Sequence, residues 1–242
     1  MKRFLFLLVC GLPALFAGCK TQPERLQTGD LIFVGIPADY DLDADSMDSA
    51  IADATGSGVG LNLIHVAIAD VDADGRWIID ATIKRGVDRH PLDTFLRDFT
   101  LKDGSLPVFE VKRLKDDRRA EEFVENVKQY LGQPYDVSFL PDNGAYYCTE
   151  LVYDSYLDKD GAPLFQAAPM NFKNADGEFP LYWQQLFARI GEPIPQDIPG
   201  TNPQAMATED ILRSVAVELS PCTDPRGKAG GPGSPRRRAP RH

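Results

Sequence analysis

The stretch that most restricts the fold is IHVAIADVDADGRWIIDATI, residues 64–83. Two runs rich in β-branched and aromatic residues flank DADG, where Gly75 supplies the positive φ that a tight turn needs. This predicts an antiparallel hairpin. DVDADG also mimics the first half of a calcium loop, but the twelfth position is Ala81, so a turn is the better reading. Strand alternation puts His65, Ala67 and Ala69 on one side, and the small alanines leave room there for another group to approach. A turn centred on Asp74 and Gly75 sets the residue opposite His65 near position 84. Asp80 is then not directly across, and a bulge or a slipped register is needed to bring the two together.

Further strands are expected at LIFV after the Gly29-Asp30 turn, at PVFEVKRL, and within TEDILRSVAVELS. Helices are expected at DSMDSAIADA, with Ser46 or Asp48 near its start, and at HPLDTFLRDFT, with Pro91 in its first turn. DDRRAEEFVENVKQYLG reads as an amphipathic helix capped by Asp116 or Asp117 and ended by Gly132. CTELVYDSYLD reads as a helix turning Leu151, Val152, Ser155 and Tyr156 inward, after a loop, QPYDVSFLPDNGAYY. FPLYWQQLFARIG is a short aromatic helix, better read as core packing than as the wall of an acyl pocket. His90 is read as a turn residue before Pro91. These elements imply an α+β fold: a small, mostly antiparallel, barrel-like sheet with the helix that begins at Cys148 packed on one side.

Both chain ends read differently from the middle. Lys2 and Arg3 precede an apolar run too short and too Pro-interrupted for a secure membrane span, ending in FAGC. This resembles a bacterial lipoprotein signal, with residues 1–18 as signal, Cys19 as the lipidated residue and 19–26 as a tether; Phe16 stands where Leu is usual. An ordinary signal peptide is the alternative. The expected setting is therefore the cell envelope, with the membrane engaged through lipid on Cys19. Residues 27–220 form the expected domain, and the Gly/Pro/Arg-rich segment 221–242 a disordered basic tail. A formal net charge of −10 argues against a general nucleic-acid binder.

With Cys10 and Cys19 assigned to the N-terminal segment, Cys148 and Cys222 remain. They could pair, but a bridge to a frayed end would stabilise little. Cys148 opens a helix, whose N-terminus favours the thiolate. An imidazole would lower the thiol pKa and shuttle protons, and an acid would fix that imidazole. Cys148, His65 and Asp80 supply those ingredients; a buried structural Cys and His is the competing reading.

Five blocks together resemble a known family: Gly29-Asp30-Leu31-Ile32-Phe33, Ile64-His65-Val66-Ala67-Ile68, Ile79-Asp80-Ala81, Gly132-Gln133-Pro134-Tyr135-Asp136 and Tyr147-Cys148-Thr149-Glu150-Leu151-Val152. Their order resembles the circularly permuted papain-like hydrolases of the YiiX/YebB-like group, related to NlpC-type cell-wall peptidases. The resemblance implies Cys148 as nucleophile, His65 as general base and then acid, and Asp80 as orienting acid where the group often has Glu. It also implies Tyr135, with Tyr147 beside it, as substrate-binding residues, and no metal or cofactor. The implied substrate is a cell-wall peptide or an N-acyl amide. A non-catalytic lipid- or peptide-binding lipoprotein on the same fold is the other reading. No motif marks the segment from about 161 onward.

Overall fold

The computed structural model describes residues 23–56 and 60–220. Cys10, Cys19 and Cys222, the signal segment and the basic tail lie outside the described residues. The elements run β1 (Leu31–Pro37), α1 (Met47–Thr55), β2 (Leu61–Asp72), β3 (Gly75–Thr82), β4 (Gly86–Pro91), α2 (Leu92–Asp98), β5 (Val108–Leu114), α3 (Ala120–Lys128), α4 (Cys148–Ser155), β6 (Ala168–Pro169), α5 (Leu181–Ile190), β7 (Pro199–Gly200), α6 (Pro203–Met206) and β8 (Leu212–Val215). Among the described residues no helix is long and apolar enough to cross a membrane.

Six strands form one antiparallel sheet in the order β4-β3-β2-β1-β5-β8. It is open, with β4 and β8 at its edges, rather than closed into a barrel. β6 and β7 pair separately. The expected hairpin is β2–β3, and Asp72 Oδ1 accepts the Asp74 and Gly75 amide hydrogens in its turn (2.8 and 2.9 Å). His90, read as a turn residue before Pro91, instead lies in β4, a third strand of this meander, with Ile78 opposite His90 and Asp80 opposite Asp88.

The sheet buries both faces. One face carries Leu31, Phe33, Val66, Ile68, Ile79 and Ala81 against α3 and α4. The other carries Ile32, Val34, Ala67, Ala69 and Ile78 against Leu92, Phe95 and Leu96 of α2. The group that fills the space beside Ala67 and Ala69 is thus α2, not the Cys148 helix, which lies on the opposite face.

α1 is capped by Ser46, whose hydroxyl oxygen accepts the Ser49 amide hydrogen at 3.1 Å. The cap expected on α3 does not form. Arg119 holds the N-cap position without a side-chain bond, because the Asp116 carboxylate is taken by Arg118 (2.7 and 2.6 Å). α4 begins at Cys148 and buries Leu151, Val152 and Ser155. It is tied back to α3 by Asn126, whose amide donates to the Ser155 carbonyl (3.1 Å). The N-terminal segment is already packed at Glu24, which bridges to Val217, and at buried Leu26.

Candidate active site

His65 sits at an irregularity in β2. Val34 pairs with His65 and Gly35 with Leu63, so Ile64 is an extra residue on the β2 side. Ile64 and Ala67 accordingly share one core cluster although they are three apart. A bulge of this kind re-aims a side chain. The β2–β3 ladder runs from Asp72–Gly75 to Ile68–Ile79 and stops there. Extended, that register would set Thr82, not residue 84, opposite His65. Asp80 is then a diagonal neighbour on the same face, close enough for a long side chain to reach.

The contact is made: His65 Nε2 and Asp80 Oδ2 are 2.9 Å apart, with His65 7% and Asp80 1% exposed. The His65 ring also packs on Phe99, centroids 4.8 Å apart. With Nε2 committed to Asp80, Nδ1 is the nitrogen left for Cys148, which is buried and free. Burial is the largest influence on His65 and works to lower its pKa. The charge of Cys148, the Asp80 hydrogen bond and the Cys148 hydrogen bond outweigh it, and the pKa rises to about 10. The imidazolium is therefore stabilised by partners on both sides.

Cys148 stands at the first position of α4, where unpaired amide N–H groups favour negative charge. Thr149 and Glu150 follow. The Tyr147 N–H donates to Glu150 Oε2 at 3.3 Å. Burial, opposed by that bond and reinforced by the charges of Asp136, Asp154 and Asp142, raises Glu150 to about 8. Near neutrality Glu150 is protonated, so it adds no negative charge beside the sulfur.

Two cavities meet at Cys148. One, of about 420 Å³, is walled by Tyr147, Phe139, Met170 and Trp183. The other, of about 280 Å³, is lined by His65, Asp48, Lys84 and Arg85. Ile51, Ile64 and Tyr135 belong to both. Burial, followed by the charge of Cys148, holds the Tyr135 phenol well above its ordinary pKa; its hydroxyl points to Met47 Sδ at 3.7 Å. The Tyr147 hydroxyl oxygen accepts the Thr201 amide hydrogen at 3.2 Å.

The structure thus brings Cys148, His65, Asp80, Tyr135 and Tyr147 together. Several neighbours carry no motif in the sequence. His90 is buried beside Asp80, its Nδ1 3.9 Å from Asp80 Oδ1; no local pattern marks its strand, which forms by pairing along β3. Asp48 lies near enough for His65 to act on its charge. Gln204 accepts the Leu63 amide hydrogen at 3.1 Å, fixing α6 against β2. Only the fold assigns that last contact, since nothing local in the 161–220 segment marks it.

The chain is 31% identical over 98 residues to uncharacterized protein YiiX of Escherichia coli K12. That alignment covers 40% of this chain and 48%, about half, of the relative's length. A crystal structure described as metalloprotein YiiX from Escherichia coli O157:H7, DUF1105, superposes with a TM-score of 0.59 at 26% identity, covering 82% of this chain and 99% of that one. The family model described as permuted papain-like amidase enzyme, YaeF/YiiX, C92 family, matches residues 25–216; with strand and histidine preceding helix and cysteine, the chain belongs to this permuted papain-like family.

Proposed function

We propose that the protein is a cysteine amidase acting through a thioester on Cys148, and that it is exported and anchored by lipid on Cys19. The observation that carries the catalytic reading is His65 held between the Asp80 carboxylate and Cys148. In that pair His65 keeps its proton up to about pH 10, and the sulfur beside it is the nucleophile. Cys148 Sγ attacks the amide carbonyl carbon. The carbonyl oxygen gathers negative charge beside the N–H groups at the start of α4. The imidazolium of His65 gives its proton to the leaving nitrogen as the C–N bond breaks, leaving an acyl thioester and a neutral imidazole. Water then attacks the thioester, His65 takes its proton, and the C–S bond breaks to free the acid and restore the Cys148–His65 pair. Asp80 keeps the ring in the orientation both transfers need.

The solved relative is described as a metalloprotein. Among the described residues of this chain no group of three or more His, Cys, Asp or Glu is placed to hold a metal ion. That donor set does not fit a metal, and the steps above use none.

Wild type, Cys148→Ala and His65→Ala are to be incubated with N-acyl amides and cell-wall stem peptides, with products read by mass. Wild type is expected to release amine and to show a transient acyl adduct on Cys148. Cys148→Ala should lose at least about 10³-fold in turnover. His65→Ala should slow Cys148 alkylation by iodoacetamide at pH 7. Turnover undiminished in Cys148→Ala, or alkylation indifferent to His65, overturns the mechanism. Binding without turnover across both substrate sets identifies a binding module instead. Globomycin-sensitive processing and palmitate labelling lost in Cys19→Ala test the anchor; labelling that persists overturns it.

A further inference from the structure

Asp80 is held at one oxygen only. Its Oδ2 lies 2.9 Å from His65 Nε2, while its Oδ1 is buried with no hydrogen-bond partner among the described residues. A buried carboxylate oxygen left bare is costly. Beside it is His90 Nδ1, 3.9 Å away. The register explains the approach: Asp80 stands opposite Asp88 and Ile78 opposite His90, so His90 is the diagonal neighbour of Asp80 on that face. The His90 ring is buried and packs against Phe95, centroids 6.5 Å apart. Neither of its nitrogens has a hydrogen-bond partner among the described residues. Packing alone accounts for a buried ring but asks for no nitrogen at that place.

The proton of His90 can be assigned. Nδ1 lies between two acids, 3.9 Å from Asp80 Oδ1 and 3.4 Å from Asp88 Oδ2. A bare lone pair there would face negative charge on both sides, whereas an N–H faces acceptors. The two acids are not equal claimants. The Asp88 side chain is 37% exposed and also has Arg85 Nε at 3.3 Å, so water and a cation serve it. The Asp80 side chain is wholly buried. Burial is the largest influence on His90 and lowers its pKa. The charge of Asp80 opposes this, Arg85 adds to it, and Asp88 and Asp98 oppose it, leaving the value below that of an ordinary histidine. His90 is therefore a neutral donor near neutral pH. At 3.9 Å the bond to Asp80 is not made, and a shift of about 1 Å brings it within range.

Resting on the cysteine amidase reading above, we propose that His90 is a positioning residue. Its Nδ1–H closes on Asp80 Oδ1 and anchors the carboxylate at both oxygens, so that Oδ2 keeps hold of His65 Nε2 through the proton transfers. The moment that needs this comes after His65 has protonated the leaving nitrogen. The imidazole is then neutral, its hydrogen bond to Asp80 is weaker, and a carboxylate fixed at one oxygen is free to rotate away. His90 lines neither cavity beside Cys148; it acts through Asp80.

The test uses His90→Asn, His90→Gln and His90→Leu. His90→Asn puts an amide N–H at about the place of Nδ1, His90→Gln puts one nearer the place of Nε2, and His90→Leu removes the donor. Ring nitrogen NMR of the intact wild type reads the tautomer: a proton on His90 Nδ1 is expected, and a ring protonated on Nε2 alone overturns the proposal. Turnover of N-acyl amides comes next. His90→Leu and His90→Gln should lower kcat about 10- to 100-fold with KM nearly unchanged, and His90→Asn should recover most of that loss. Should His90→Leu fail to fold, His90→Asn against His90→Gln carries the comparison. In the Asp80→Ala background His90→Leu should change kcat less than about twofold, because the group it serves is gone. Wild-type kcat in His90→Leu, equal losses in His90→Asn and His90→Gln, or a loss that multiplies with that of Asp80→Ala reduces His90 to packing. Failure of the amidase reading looks different: wild type turns over no amide, and Cys148 alkylation ignores His65. The His65 Nε2–H proton still reports on Asp80 in that case. It should exchange with solvent faster in His90→Leu and His90→Gln than in wild type or His90→Asn, and equal exchange in all four overturns the proposal.

Discussion

Two buried acids shape the chemistry of Cys148 in opposite ways. Asp80 stays engaged with His65 and helps hold its proton; Glu150 is kept protonated by burial. The sign of each effect on pH dependence follows. His65 rises from 6.5 to about 10. Its contribution to stability is complete below about 6.5 and is lost as pH climbs through about 10, and the acid needed by the leaving amine is lost over the same upper range. Asp80→Asn removes one of the groups that raise it. The expected result is a fall in kcat of roughly 10²- to 10⁴-fold, with the alkaline limb of the kcat profile displaced to lower pH. A limb that stays in place would show that Asp80 does not act through His65. Glu150 rises from 4.5 to about 8, so the folded state binds its proton more tightly and loses stability as pH rises between those values. Glu150→Gln keeps an acceptor for the Tyr147 amide and carries no charge. Its Tm should match wild type near pH 4.5 and exceed it at pH 9; identical Tm curves would refute the burial account.

The hairpin arms and the nucleophile helix were legible in the sequence because each carries a local signal: β-branched runs about a glycine turn, and a periodic run opening at Cys148. β4 was not, because Gly86-Val87-Asp88-Arg89-His90-Pro91 is short and polar, and what makes it a strand is pairing along β3. The His65–Asp80 contact was expected to need a bulge or a slipped register, and the irregularity lies at Ile64, visible only once β1 is laid beside β2. β4 also fixes the Gln133-Pro134-Tyr135 segment that lines the site. The Val87 amide donates to the Gln133 carbonyl (2.8 Å) and the Gly132 amide to the Val87 carbonyl (2.9 Å). Gly86, with φ 67°, allows this approach: a Cβ there would lie 2.2 Å from the Gln133 carbonyl oxygen. Both atoms are backbone, so relief requires moving the loop. Gly86→Ala should cost about 3 kcal/mol or more and raise KM through displaced Tyr135. Gly104→Ala shares the positive φ, 84°, but meets nothing within 4 Å, and should cost only about 1 kcal/mol. Equal urea midpoints for the two variants would show that the close approach is not what selects glycine at position 86.

A permuted order leaves the site dependent on how the segment before β1 meets β5 and the end of α4. His65 comes early, the Cys148 helix late, and the chain entering β1 must be locked beside β5 and β8 for the two to face each other. Asp30, 0% exposed, and Arg113, 3% exposed, form that lock. Arg113 Nε and Nη2 donate to the two Asp30 oxygens at 2.6 and 2.8 Å, Nη2 also donates to the Arg25 carbonyl at 3.1 Å, and Nη1 donates to Glu24 at 3.0 Å. Asp30 in turn accepts the Gln27 amide hydrogen at 2.8 Å, and Tyr156 of the nucleophile-helix end donates its buried hydroxyl to the Gly29 carbonyl at 3.1 Å. A buried ion pair is weak evidence of net stabilisation, but removing one partner strands the other charge. Arg113→Met should therefore cost about 3–5 kcal/mol. Adding Asp30→Asn removes the stranded charge and keeps an acceptor for Gln27, so the double variant should recover a large part of that loss. Arg118→Met, which breaks the exposed Arg118–Asp116 pair, should leave the urea midpoint where it is. Urea melts of the four proteins, with Cys148 alkylation followed in each, decide the matter: an Arg113→Met protein that melts like wild type, or a double variant no better than the single, would mean that the site is held in register by something other than this buried pair.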